Sequence, residues 1–282
     1  MSNLLYSAIA AHLIGDFYLQ PAAIAEGKKR NLWLLLPHWL LYALPFAVLY
    51  LLSDQNPQLP TLLTIAVASH LPVDFIKQLL ARRVRKLEKS KRDFRSLNLF
   101  LADQFVHLAI IAVAAIALYE RGLILEAAPW LAELAGRLQL NLYILVQAGL
   151  VGLIILKPAS LIVSKVSTVY RPERSVEYAD STNQFHENRA GLFPQTDPAV
   201  KKPPDKPVEA IRGAGQMIGY LERILIVIFL SVGQYASIGL IMTAKSIARY
   251  ERINKDSEFA EYYLIGTLSS ILIAILAYLL VF

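Results

Sequence analysis

Long apolar runs separated by polar connections constrain this chain more than any other feature. Runs near 3–20, 33–52, 61–80, 97–119, 139–160, 220–244 and 260–282 have about the length needed to cross a bilayer, roughly 17–25 residues. The expected fold is an all-α, polytopic transmembrane helical bundle of about six to seven spans, since a helix satisfies its own backbone hydrogen bonds in lipid. Four parts are expected. Residues 1–120 form a four-helix membrane core, 121–160 a further membrane helix, 161–218 a cytoplasmic polar loop, and 219–282 a C-terminal membrane helix pair.

Composition agrees, with 56% hydrophobic and 18% charged residues, too apolar for an ordinary soluble domain. Cysteine is absent, so any metal site must use nitrogen and oxygen ligands. The net charge of +6 is assigned to cytoplasmic loops facing anionic lipid headgroups rather than to nucleic acid. Lys28, Lys29 and Arg30 follow the first run, and eight cations from Arg82 to Arg95 follow the third, whereas Ser53–Pro60 carries no Lys or Arg. The positive-inside rule therefore places the basic connections in the cytoplasm and the N-terminus outside. The opening MSNLLYSAIAAH lacks a basic n-region and cleavage site, so the first helix is expected to be retained. Lys245, Arg249, Arg252 and Lys255 break the charge rule if every run spans once. Either the run 139–160 does not cross fully, or those cations are neutralised by Glu251, Asp256, Glu258 and Glu261.

Within these runs lie ionisable residues. His12 and Asp16 occur in AHLIGDFYLQ, His70 and Asp74 in SHLPVDF, and Asp103 and His107 in ADQFVHL, each pair four residues apart and so on one helix face. His38 stands alone in the second run. Counting turns from the basic connections places all seven at nearly one depth in the cytoplasmic half of the membrane. Buried charges there are costly and usually functional. A divalent cation (zinc, manganese or iron, one or two ions) keeps the carboxylates ionised and the imidazoles neutral. The expected metal ligands are His12, Asp16, His38, His70, Asp74, Asp103 and His107, with Asp16, Asp74 and Asp103 also candidates for the general base. The plainer alternative is a set of interhelical hydrogen bonds. Gln20 and Gln104 are candidates for substrate binding or for capping the cluster, and His186, in the polar loop, is expected to be solvated.

A second constellation lies in GAGQMIGYLERILI, AKSIARYERI and EFAEYYLIGTLSS. Glu222, Arg223, Lys245 and Arg249 read either as snorkelling interfacial side chains or as a clamp for a headgroup or phosphate, with Gly213, Gly215 and Gly219 allowing close helix approach.

The motifs HLIGDFYLQ, HLPVDF and DQFVHL, with IGYLERILI and AKSIARY in the tail, resemble a bacterial membrane family known as domain of unknown function 3307. The resemblance implies a multi-pass protein of the bacterial inner membrane and no particular activity. Helix-borne His and Asp at cytoplasmic depth are also loosely similar to inner-membrane metal-dependent hydrolases. Two functions are expected to compete, the first leading and the second its alternative. One is a membrane-embedded metal-dependent hydrolase acting on a lipid or membrane-associated substrate from the cytoplasmic side. The other is a divalent cation or proton-coupled carrier using the same site.

Overall fold

The computed structural model describes residues 1–28, 30–171 and 214–282. Lys29, His186, Gly213 and most of the expected polar loop lie outside these residues. Helix α1 (Ser2–Leu13) runs into a π turn (Ile14–Tyr18), and the short α2 (Ala22–Gly27) leads to α3 (Leu35–Leu51). The long α4 (Leu59–Val84) and α5 (Lys89–Tyr119) follow, then α6 (Pro129–Arg137), α7 (Leu142–Ile155) and α8 (Lys157–Val169). After the gap come α9 (Ala214–Ser231), α10 (Tyr235–Ile247), α11 (Tyr250–Lys255) and α12 (Ser257–Val281).

Local chemistry sets several helix starts. The Asn141 carboxamide accepts from the Tyr143 and Ile144 amides at 3.0 and 3.2 Å, and Asp256 accepts from the Phe259 amide at 2.9 Å, which satisfies donors that an open helix end leaves unpaired. Pro72 lies inside α4 and removes one ladder bond. Beside that gap the Trp39 indole donates to the Val67 carbonyl at 2.6 Å, joining α3 to α4.

In the first half, α1, α3, α4 and α5 pack around Leu4, Ala8, Tyr42, Phe46, Leu62 and Ile111. In the second, α7, α8, α9 and α12 pack around Leu150, Ile155, Ile226 and Ala274, with Leu13 of α1 shared. Large apolar side chains face outward, among them Leu40, Leu44, Phe105, Val113, Leu268 and Leu272, while His12, His38, His70, Asp74 and Arg223 are buried. Polar inside and apolar outside is the arrangement that lipid demands.

Among the described residues five helices are long and apolar enough to cross a membrane: Leu32–Leu51, Leu59–Val84, Lys89–Tyr119, Leu142–Val169 and Ser257–Val281. Two expectations are corrected. The helix expected over 121–160 does not stop there: it breaks at Leu156, where φ is −86° and ψ −101°, and continues as α8 to Val169. The expected loop therefore begins about two helical turns later than residue 161.

The run 220–244 is not one span. Gly233, at φ +73°, turns the chain between α9 and α10, a conformation glycine adopts at no steric cost. The two helices form a hairpin, clasped by Lys245 Nζ and Glu222 Oε2 at 2.6 Å. Lys245 also sits 5.8 Å above the Tyr263 ring near the start of α12. The end of α8 is tied to the basic start of α5 by Lys165 Nζ donating to Ser96 Oγ at 3.0 Å. The cations of 245–255 thus return to the end of the bundle that carries Arg82–Arg95, and the conflict with the charge rule disappears. At the opposite end Gln147 Nε2 donates to the Val281 carbonyl at 2.5 Å, and Leu52 and Asp54 pair with the 126–128 backbone.

Candidate functional site

The seven expected residues converge. His12 and Asp16 come from α1 and its π turn, His38 from α3, His70 and Asp74 from α4, and Asp103 and His107 from α5, and none is more than 6% exposed. Ring centroids are 5.3 Å apart for His12 and His107, 5.2 Å for His38 and His70, and 4.4 Å for His70 and His107.

The contacts cross between helices more than the sequence spacing implies. Within α5, His107 Nε2 lies 3.6 Å from Asp103 Oδ1. Asp16 instead faces His38 Nε2 at 3.4 Å and accepts from Gln104 Nε2 at 2.8 Å. The cause is local: residues 14–18 form a π turn, which widens the helix and rotates Asp16 off the regular four-residue stack. Gly15 lets this turn press on α3, for a Cβ there would stand 3.0 Å from the Tyr42 carbonyl oxygen and 3.1 Å from its Cα.

Hydrogen bonding defines one side of the cluster. Gln104 Nε2 donates to Asp16 Oδ2 and, at 3.1 Å, to Asp103 Oδ2, so its Oε1, 3.4 Å from His12 Nε2, is the acceptor. His12 therefore carries its proton on Nε2 and receives the Tyr42 hydroxyl at Nδ1, 3.0 Å away. Tyr42 also stacks on His70, with centroids 3.6 Å apart.

The other side is not satisfied in this way. His38 Nε2 is surrounded by His70 Nε2 at 3.1 Å, Asp16 Oδ1 at 3.4 Å and Asp74 Oδ2 at 3.4 Å. One nitrogen carries at most one proton, so it cannot answer all three. Nδ1 of His38, Nδ1 of His70, Nε2 of His107 and Oδ1 of Asp103 are buried with no hydrogen-bond partner among the described residues. Buried polar groups left unpaired are rare and costly. Two triads bring one ligand atom from each residue within 4.8 Å of one another: Asp16, His38 and His70, and His70, Asp74 and His107.

Two lysines enter the site that the sequence reading left out. Lys77 Nζ lies 2.6 Å from Asp103 Oδ2 and 3.4 Å from Asp74 Oδ1, and Lys28 Nζ lies 2.9 Å from Asp74 Oδ2. The signal for Lys77 was present, a lysine three residues after an intramembrane aspartate. Lys28 was hidden in a basic cluster that reads as a loop. These ammonium groups balance two of the three carboxylates, leaving Asp16 without a lysine partner among the described residues. Of the two triads, Asp16, His38 and His70 is therefore the one that suits an added cation, since Asp74 already has two cations beside it.

The remaining candidates separate. Gln104 belongs to the centre, whereas Gln20 has a buried Nε2 with no partner and no recorded contact to it. Glu222, Arg223, Lys245 and Arg249 line a different cleft, between α8, α9, α10 and α12.

The family model described as a protein of unknown function (DUF3307) matches residues 4–129, the stretch that supplies all seven centre residues. The tail motifs IGYLERILI and AKSIARY fall outside that match. No curated protein and no solved structure matches the chain.

Proposed function

We propose, starting from the match of the N-terminal four-helix half to a family without an assigned activity, that the His/Asp centre binds a divalent cation within the bilayer and that the protein is a cation carrier. The observation that carries this reading is the crowding of His70 Nε2, Asp16 Oδ1 and Asp74 Oδ2 around His38 Nε2, because a dication on Asp16, His38 and His70 answers the two that no lysine pairs. Nitrogen and oxygen ligands suit zinc, manganese or iron. Lys77 gives the site a way to release its cargo. Its ammonium already neutralises Asp74 and Asp103, so it competes electrostatically with an incoming dication and restores balance when the dication leaves.

In this reading the protein lies in the bacterial inner membrane. The five long helices are joined by a sixth crossing, α1 with its π turn, which is about 25 Å long. The α9–α10 hairpin returns to the cytoplasmic face.

A metal-dependent hydrolase is the second reading, favoured by one observation. Asp103 Oδ1 and His107 Nε2 are buried 3.6 Å from each other, with no hydrogen bond to either among the described residues, as a base beside a metal site is expected to be. Against it, the centre is enclosed, with His12 and His70 fully buried, which suits an ion better than a lipid ester.

Liposomes holding wild-type, Asp16→Asn or His70→Ala protein separate the readings. Uptake of zinc, manganese or iron is expected for wild type and is expected to be lost in both variants, with affinity at least about 100-fold weaker. Release of lipid headgroup without uptake would move the assignment to the hydrolase. Wild-type protein that neither retains nor transports an ion would end both.

A further inference from the structure

We propose that the cleft between α8, α9, α10 and α12 binds a phosphate-bearing amphiphile, its anionic head on Arg223 and its chain along the apolar wall. The cleft has a volume of about 1060 Å³ and is separate from the His/Asp centre, so this inference does not rest on the cation reading.

Arg223 is the central observation. It is 2% exposed. Its Nε donates to the Ile155 carbonyl, Nη1 to Ser270 Oγ at 2.9 Å and Nη2 to Ser160 Oγ at 2.6 Å. These bonds hold the α7–α8 break against α9 and α12, and every acceptor is neutral. Among the described residues no carboxylate lies within salt-bridge distance of the guanidinium. A buried cation with no counter-charge remains electrostatically costly until an anion approaches. Guanidinium has five donors, and only three are engaged.

The surroundings carry the same sign. Among the described residues the one carboxylate in the lining, Glu222, is taken by Lys245. Arg171 and Arg249 stand exposed at the rim, and among the described residues neither has an ion pair. Room beside the guanidinium comes from Gly219, where a Cβ would stand 3.2 Å from Arg223 Nη1. Leu161, Ile218 and Leu225 complete an apolar wall. The cleft lies at the basic end of the bundle, the depth of anionic headgroups. A phosphate matches the planar, forked donor set, and the apolar wall calls for a chain attached to it.

Full-length protein purified in a non-ionic detergent is titrated with dioctanoyl phosphatidic acid, dioctanoylglycerol and inorganic phosphate. Phosphatidic acid is expected to bind at least ten-fold more tightly than either other probe. Arg223→Gln is expected to weaken it at least ten-fold. Because Arg223 also ties helices together, the Arg171→Gln/Arg249→Gln pair provides a variant that leaves the packing in place, and it is expected to weaken binding about three- to ten-fold. Asp16→Asn should bind the lipid like wild type, which keeps this test independent of the cation centre. Equal binding of dioctanoylglycerol, or unchanged binding by the rim double variant, overturns the proposal. Phosphate binding as tightly as the lipid overturns the amphiphile and assigns a soluble anion.

Discussion

At His38, two carboxylate oxygens, of Asp16 and Asp74, and the His70 Nε2 crowd one ring nitrogen. Such a point stays stable only with a proton or cation shared among them, and Lys77 decides how much positive charge is already there. Replacing Lys77 with Met keeps the apolar stem and removes the ammonium that is 2.6 Å from Asp103. With the internal competitor gone, the centre becomes more negative, so divalent-cation affinity is expected to rise about ten-fold while the metal-free protein loses thermal stability. Calorimetric titration of wild type and variant reads the affinity. A weaker affinity in the variant would show that Lys77 supports the ion's site instead of competing for it.

Helix α1 depends on a close approach. Its π turn brings Gly15 against the Tyr42 backbone, where a Cβ would lie about as close as non-bonded atoms come. Main chain cannot move aside as a side-chain tip can. Gly15→Ala is therefore expected to destabilise the protein by about 1–3 kcal/mol, and to weaken cation binding as well, because Asp16 moves with the turn. A melting curve in detergent, with and without metal, measures both. An unchanged midpoint would mean that α1 and α3 can separate without cost. The α9–α10 hairpin is a different case: Gly233 and the Glu222–Lys245 pair fold an apolar run back on itself, although the run is long enough to have crossed.

For the whole molecule the hairpin sets the orientation of everything after it. Arg82–Arg95, the end of α8 and the cations of 245–255 share one end, while Gln55 and Val281 lie at the other. Reporters fused at Lys89 and at Asn254 are expected to read cytoplasmic, and those at Gln55 and Phe282 external. An external reading at Asn254 would restore the run 220–244 as a full crossing and would remove the cleft from the headgroup region on the cytoplasmic side.

Sequence alone pointed to a helical chain with helices long and apolar enough to cross a membrane, and to His12, Asp16, His38, His70, Asp74, Asp103 and His107 meeting at one level of the bundle, because run length and distance from a basic connection are one-dimensional quantities. Rotation about a helix axis is not one-dimensional. The π turn at 14–18 redirected Asp16, and interhelical packing paired Asp74 with Lys28 and Lys77, so four-residue spacing told which residues meet but not which atoms. The same limit explains the hairpin: glycine at residue 233 permits a turn, and an apolar run permits a span. What chose between them was the energy gained by Glu222 and Lys245 pairing and by Ile226 and Leu230 packing on α7 and α12, contacts between residues far apart in the chain that only the tertiary structure brings together.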